Sequence, residues 1–468
     1  MILRPAVTLR EAAQTLFPEP LTTIDEIAAF YNVELNDIRG GDKVAELKEG
    51  LETSSRRQPY KAYLVGFRGC GKSTELSLLQ EKTKGRFHYI IFDAGTDLDP
   101  VSFKPFDVLL LMFIRLASET EKVTGTPPNP DLLNRLIHWY DETTETTTGN
   151  LAGEIKAESE GKVGTPGASW WPKIVEFFAK LRGEIKYSAS REEKTVHKST
   201  SRVNELITLM NDLIEECNGL LSEEQSWVFI GDSFDKPNIP RKSIEDLFIG
   251  FRHILEEMNI NMIFNIPPDL AFCEQSRELA QFQGTVVIPD TQVFCQDHTP
   301  DEKGREILGV LLTQRMINEL FASNQKERLI VASGGNTRDL LSLTSQATMK
   351  ARVRLKSNFS EKDRIEEADV DRVLADFRQD LLSRLGSTKT SADEDPYINK
   401  AKTMVAIYKG EQNTDVPNSI VNQLLRVGAI QKFNGNWWFG VHPMVVSILW
   451  KQGHIVSSEN GDLPGGLL

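Results

Sequence analysis

Along roughly the first 300 residues, short apolar runs of strand length alternate with longer stretches of helical period. Residues 63–65, 87–93, 226–232, 261–265 and 284–289 form the short runs, dominated by aromatic and β-branched side chains. Such composition over so few positions reads as buried strand. Five strands separated by helical patterns predict an α/β fold: a mostly parallel five-stranded sheet with helices on both faces. Residues 1–60 read as helical, with amphipathic stretches at 24–31 and 42–51 flanking an Ile-Arg-Gly-Gly-Asp turn at 38–42. The apolar run 108–116 is far short of the ~18–20 residues a membrane span needs, so it reads as a buried helix.

The rhythm breaks between about 141 and 200, where Thr, Glu, Gly and Ser dominate before an aromatic patch, Trp170, Trp171, Phe177 and Phe178. This stretch reads as an insertion into a core of 61–298, either functional or disordered. Its aromatics fit a small docked helix or a surface for self-assembly or a partner. Residues 299–386 are helical in pattern throughout and read as a helical lid. A polar break at 387–396 marks a linker. Beyond it, 396–456 read helix, helix, strand, Asn434-Gly435 turn, strand, helix, the order of a winged-helix domain. Adjacent Trp437 and Trp438 should point to opposite faces of their strand.

Composition narrows the class. With 40% hydrophobic and 26% charged residues the chain is ordinary globular protein. A formal net charge of −13 argues against broad electrostatic binding of nucleic acid. No secretory leader is legible at the N-terminus. Cys70, Cys217, Cys273 and Cys295 lack metal-ligand spacing and read as free thiols of a reducing cytoplasm.

The densest chemistry lies just after the first strand. Gly66-Phe67-Arg68-Gly69-Cys70-Gly71-Lys72-Ser73 matches the P-loop pattern GxxxxGK[ST], with a strand before it and a helix after it. Glycines let backbone N–H groups curl around phosphate oxygens, and the helix N-terminus adds its dipole. Gly66, Arg68, Gly69, Cys70, Gly71, Lys72, Ser73 and Thr74 are the expected nucleotide contacts. Lys72 is expected on the β- and γ-phosphates, and Ser73 on Mg²⁺. A P-loop ATPase also needs an acid at the end of the strand beside the P-loop strand. Asp232, closing Val228-Phe-Ile-Gly, fits that Walker-B role and is the second expected metal contact. Ser233 follows it where many such ATPases carry a water-polarising glutamate; Asp235 is the nearest substitute. Slow hydrolysis of ATP as a switch is the expectation. Asn265 ends the next strand, placed either to position water or to form the turn before Pro267-Pro268. Arg338 stands in the first turn of a lid helix, within reach of a γ-phosphate or of a surface acid. Arg252 and Arg277 are candidates for an arginine supplied to a neighbouring subunit.

In the winged-helix segment Lys400, Lys402, Lys409, Arg426, Lys432 and Lys451 outnumber Glu411 and Asp415, and Asn418, Ser419, Asn422 and Gln423 lie on its second helix. It reads either as a DNA reader or as an intramolecular packing module. Taken in order, these motifs resemble the AAA+/STAND group of P-loop ATPases, on the branch shared with origin-recognition initiators. Residues 38–42 are similar to the hhGRE element that borders adenine in that group, with Gly41 and Asp42 in place of its arginine and glutamate. The resemblance implies ATP and Mg²⁺ held between core and lid, homo-oligomer assembly and no membrane. It also implies a separate effector protein carrying the output, as for prokaryotic stand-alone ATPases of antiphage defence. Two alternatives stand beside this ATPase switch: a DNA-binding initiator or transposition-type regulator, and a nucleotide-binding scaffold without turnover.

Overall fold

A computed structural model describes residues 2–144, 149–160, 170–187, 189, 193–236, 239–272, 274–357, 362–386, 397–411, 418–433 and 438–455. Strands β1 (Lys61–Val65), β2 (Phe87–Asp93), β3 (Ser226–Asp232), β4 (Asn261–Ile266) and β5 (Gly284–Val287) form one parallel sheet, ordered β2-β3-β4-β1-β5. The three central strands β1, β3 and β4 are buried on both faces, while the edge strands β2 and β5 are buried only in part. Along β1, Tyr63 and Val65 enter one core while Ala62 and Leu64 enter another. The first core is covered by helices Pro105–Thr124 and Val203–Gly219, the second by Lys43–Glu52 and Lys72–Lys82.

The strand order corrects one expectation. The strand ending in Asp232 is not beside the P-loop strand: β4 pairs with both and separates them. Runs that are apolar on both faces carry no record of their neighbours, so the order was not legible. The parallel arrangement still brings the C-terminal ends of β1, β3 and β4 to one edge.

The insertion is mostly helix rather than loop, with helices Pro130–Thr144, Gly149–Glu160, Trp170–Lys186 and Glu193–Ser201. Ile174, Phe177, Phe178, Leu181 and Ile185 recur at helical spacing and form one buried stripe. With Trp170 they join the same core as the sheet, so the aromatic patch is interior. The expected N-terminal unit divides instead. Residues 6–16 pack with the helices of 302–385, tied by Ala6 N to Arg315 O at 2.9 Å, whereas 44–51 pack on the sheet.

Helices Tyr397–Tyr408 and Ser419–Val427, antiparallel β6 (Ile430–Lys432) and β7 (Phe439–Val441), and helix Pro443–Lys451 follow in the expected order. Their apolar side chains share one core with 302–385. Trp438 lies 5.0 Å from Phe433, ring to ring. The linker at 387–396, the Asn434-Gly435 turn, Trp437 and Cys273 fall outside the described residues. No helix of the described residues is long and apolar enough to cross a membrane.

Candidate functional site

Gly69 and Gly71 adopt φ of +93° and +110°, a region L side chains avoid, and this curls the loop between β1 and helix Lys72–Lys82. The curl turns the Cys70 thiol inward against Gly66, where burial pushes its pKa up. Lys72 is buried and fully committed: its ammonium donates to Gly66 O at 2.6 Å and Phe67 O at 2.9 Å, and pairs with Asp235 at 2.8 Å. Burial alone would lower its pKa, but the Asp235 carboxylate raises it, so the lysine stays charged.

Next to it, Ser73 Oγ donates to Asp232 Oδ2 at 3.0 Å, and Asn265 Nδ2 donates to Asp232 Oδ1 at 2.6 Å. Asn265 therefore orients the carboxylate rather than shaping the turn before Pro267, because β4 lies between the P-loop strand β1 and the strand that ends in Asp232. Ser233 takes φ +69°, and its N–H also reaches Asp232 Oδ1 at 2.6 Å. Its hydroxyl donates to Asp93 at the end of β2, 2.6 Å away. Asp93 also receives Lys236 at 2.8 Å; against a burial effect that would raise it, these donors lower its pKa.

Two covers meet over this floor. From one side, helix Thr337–Ser357 clasps the loop: Thr337 Oγ1 donates to Gly69 O at 2.7 Å, Arg338 N to the same oxygen at 3.1 Å, and Asn336 Nδ2 to Arg68 O at 3.0 Å. Arg338 lies against the loop so closely that a Cβ on Gly69 would sit 2.6 Å from its own. From the other side, Leu21 N donates to Thr74 Oγ1 at 3.1 Å and Tyr31 Oη to Glu75 at 2.9 Å. Burial raises the pKa of Glu75, opposed by the Arg39 guanidinium 3.9 Å away. Between the covers is a cavity of about 400 Å³, lined by the loop, Asp232, Asp235, Asn265, Arg338, Leu21, Tyr31, Arg39, Leu311, Arg315 and Leu341.

Of the expected nucleotide, metal and catalytic residues all but Gly66 line this cavity, with the Cys70 thiol turned away from it. Sequence reasoning missed the apolar wall of Leu21, Leu35, Leu311 and Leu341, and the buried Arg39 and Arg315. The turn at 38–42 was the one signal pointing there. The residues fit a nucleotide and Mg²⁺. Mg²⁺–oxygen distances of ~2.0–2.1 Å put adjacent ligands ~3 Å apart, the separation that Ser73 and Asp232 already hold. Among the described residues no cluster of three or more His, Cys, Asp or Glu offers a protein-only metal cage.

Other expected residues lie elsewhere. Arg252 and Arg277 are exposed, Arg252 donating to Glu278 O at 3.3 Å. Lys400 is buried, its ammonium on Leu385 O at 3.2 Å, and Lys432 lies 3.8 Å over the Phe272 ring. Neither presents a free charge at the surface. Helix Ser419–Val427 packs against Pro268–Ala271, and Asn418 is its N-cap, accepting from Val421 N at 2.9 Å.

No protein-family model matches the chain, and no curated protein matches it. Among solved structures it is similar to a Walker-type ATPase of Pyrococcus abyssi, with a TM-score of 0.44 and 12% identity over 93% of this chain and 99% of that one. It is also similar to Cdc6p of Pyrobaculum aerophilum, with a TM-score of 0.35 and 12% identity over 88% of this chain and 93% of that one. The functional reading rests on the site itself.

Proposed function

We propose that the chain is an ATPase switch: it binds ATP with Mg²⁺ in the 400 Å³ cavity and hydrolyses it slowly. The observation that carries this reading is the convergence of Lys72, Ser73, Asp232 and Asn265 on the floor of one covered cavity. Backbone N–H groups of the loop and the Lys72 ammonium hold the phosphates, and the apolar wall takes the base. Mg²⁺, when bound, neutralises developing charge on the transferred phosphoryl group; Ser73 and Asp232 hold it, and Asn265 fixes the carboxylate's orientation. Slow turnover is supported by Ser233 standing where a polarising glutamate would, and by Asp235 being paired with Lys72 rather than free to orient water.

Occupancy reaches the rest of the chain through Asn336, Thr337 and Arg338, which touch the loop from the helical lid. The output is carried by self-assembly or by a separate effector protein, with antiphage defence as the process suggested by resemblance. The C-terminal winged-helix unit serves as a packing module, supported by the buried Lys400 and the docked helix Ser419–Val427.

Phosphate release measured with Mg²⁺ and ATP tests the reading, alongside mass measurement with a non-hydrolysable analogue. Lys72→Ala should abolish release and any nucleotide-dependent mass change. Turnover undiminished in that variant would sink it.

A further inference from the structure

On the outer side of the clasp lies a second cavity, of about 530 Å³, walled by the core, the helical segment and the C-terminal segment together. Its lining carries six cationic side chains, Arg68, Lys236, Arg241, Arg338, Arg384 and Arg426, against four carboxylates, Asp235, Asp269, Asp290 and Asp339. Most are already committed. Lys236 holds Asp93, Arg241 holds Asp269 and Glu245, Arg384 holds Asp380, and Asp235 holds Lys72. Asp290 accepts from Asn336 at 2.9 Å and Gln431 at 2.8 Å.

What remains is a trio without a direct partner, Arg426 acting only through space on Asp269 and Arg338 on Asp339. The guanidinium groups of Arg68, Arg338 and Arg426 make no hydrogen bond or ion pair among the described residues, yet all three face this cavity from three different segments. Burial raises the pKa of Asp339 and of Asp290, opposed at Asp339 by the Arg384 and Arg338 guanidiniums and at Asp290 by its two amide donors. His442 adds a neutral donor edge: its Nδ1 accepts from Met444 N, which leaves the ring proton on Nε2, and burial lowers its pKa to about 4. Guanidinium forks match the oxygens of phosphate in pairs. Arg68, Asp235, Lys236 and Arg338 line this cavity and the first one alike, so the two meet beside the Lys72–Asp235 pair.

We propose that this second cavity binds a phosphate dianion, as orthophosphate or as the phosphate end of a monoester, between Arg68, Arg338 and Arg426. Identifying the orthophosphate as a hydrolysis product rests on the nucleotide reading of the first cavity; the binding of a phosphate dianion here does not.

Isothermal titration of orthophosphate and of phenyl phosphate into the full chain, alone and saturated with ADP, tests this. Arg426 is exposed and lies outside the first cavity, so Arg426→Gln should keep both the melting temperature and the ADP affinity. We expect that variant to bind phosphate at least tenfold more weakly than the natural chain, with Arg426→Lys recovering part of the loss. Tighter orthophosphate marks a product site, and tighter phenyl phosphate marks a site for a monoester. Binding of neither, or equal affinity in the natural chain and Arg426→Gln, overturns the proposal. Loss of ADP binding with Arg426-dependent phosphate binding intact would instead overturn the nucleotide reading and leave this one standing.

Discussion

Replacing Asp235 with Asn should tighten ATP binding rather than weaken it. In the free chain the Lys72 ammonium has three partners, Gly66 O, Phe67 O and Asp235, the last at 2.8 Å with side-chain exposures of only 5% and 9%. A γ-phosphate can engage Lys72 only by replacing that carboxylate. Removing one member of a buried ion pair costs ~3–5 kcal/mol, because the other charge is left uncompensated. Asn keeps an oxygen acceptor at the same place, so the lower end applies. The penalty falls on the free protein alone, since bound phosphate supplies the missing charge. At ~1.4 kcal/mol per tenfold, the free state's loss of ~3 kcal/mol tightens ATP by ~100-fold. ADP, which reaches Lys72 through its β-phosphate only, should gain less. Titration calorimetry with both nucleotides, paired with thermal melts of the free chain, reads each term separately. A folded Asp235→Asn protein with unchanged or weaker ATP affinity would refute the exchange of carboxylate for phosphate.

Four further outcomes are expected. Gly69→Ala strains a φ of +93° and drives a methyl group to 2.4 Å from Asn336 Oδ1 and 2.6 Å from Arg338 Cβ. It should cost at least ~1–3 kcal/mol in denaturant unfolding and expose the start of helix Thr337–Ser357 to proteolysis. Burial raises the Asp339 pKa from 3.8 to about 6, so its neutral form favours the folded state and that contribution is lost as pH rises through 6. Asp339→Asn should therefore remove a fall of ~3 kcal/mol in stability between pH 4 and 6, seen by urea unfolding at stepped pH. Trp170→Ala deletes a side chain only 5% exposed in the main core and should destabilise by ~3–5 kcal/mol; a change under ~1 kcal/mol would mean the insertion is not part of that core. Lys400→Gln loses the bond to Leu385 O and about 1 kcal/mol of stability. Any salt-dependent affinity for duplex DNA should be untouched in that variant, and its loss from a folded protein would contradict the buried placement.

What the sequence disclosed follows from where each signal is local. Phe87–Asp93 and Ser226–Asp232 were readable to the residue because β-branched and aromatic side chains crowd a short strand, at the sheet's edge in the first case and buried inside it in the second. The loop at 66–73 was readable because phosphate cradling needs glycine at fixed offsets. Contacts between distant segments leave no such mark. Nothing in Leu21 or Tyr31 announces that they cover Thr74 and Glu75, 53 and 44 residues away. Asn265 was ambiguous for a related reason: its role depends on β4 lying between β3 and β1, and sheet order is settled by packing rather than by period. The insertion was legible in part: its aromatics fit a docked helix, as Trp170–Lys186 is, but its Thr- and Gly-rich margins gave no sign that the stripe from Ile174 to Ile185 joins the core of the sheet.

The clasp also explains how a change at the loop can be felt far along the chain. One amide, Asn336 Nδ2, serves both Arg68 O in the loop and Asp290 Oδ1 after β5. The second oxygen of Asp290 accepts from Gln431 Nε2, which also donates to Gly334 O at 3.0 Å. The core, the helical segment and the C-terminal segment therefore share one buried carboxylate. Space for gradual adjustment is absent, since a Cβ on Gly335 would lie 1.6 Å from Thr291 O. A buried carboxylate stripped of one amide is left costly and half-satisfied, so these bonds favour breaking together over loosening singly. A loop that shifts to admit phosphate must carry Arg68 O with it and so pulls on Asn336 first. The arrangement has the character of a two-state element, held closed by partners from three segments and biased by the nucleotide cavity, which is lined by the core and the helical segment.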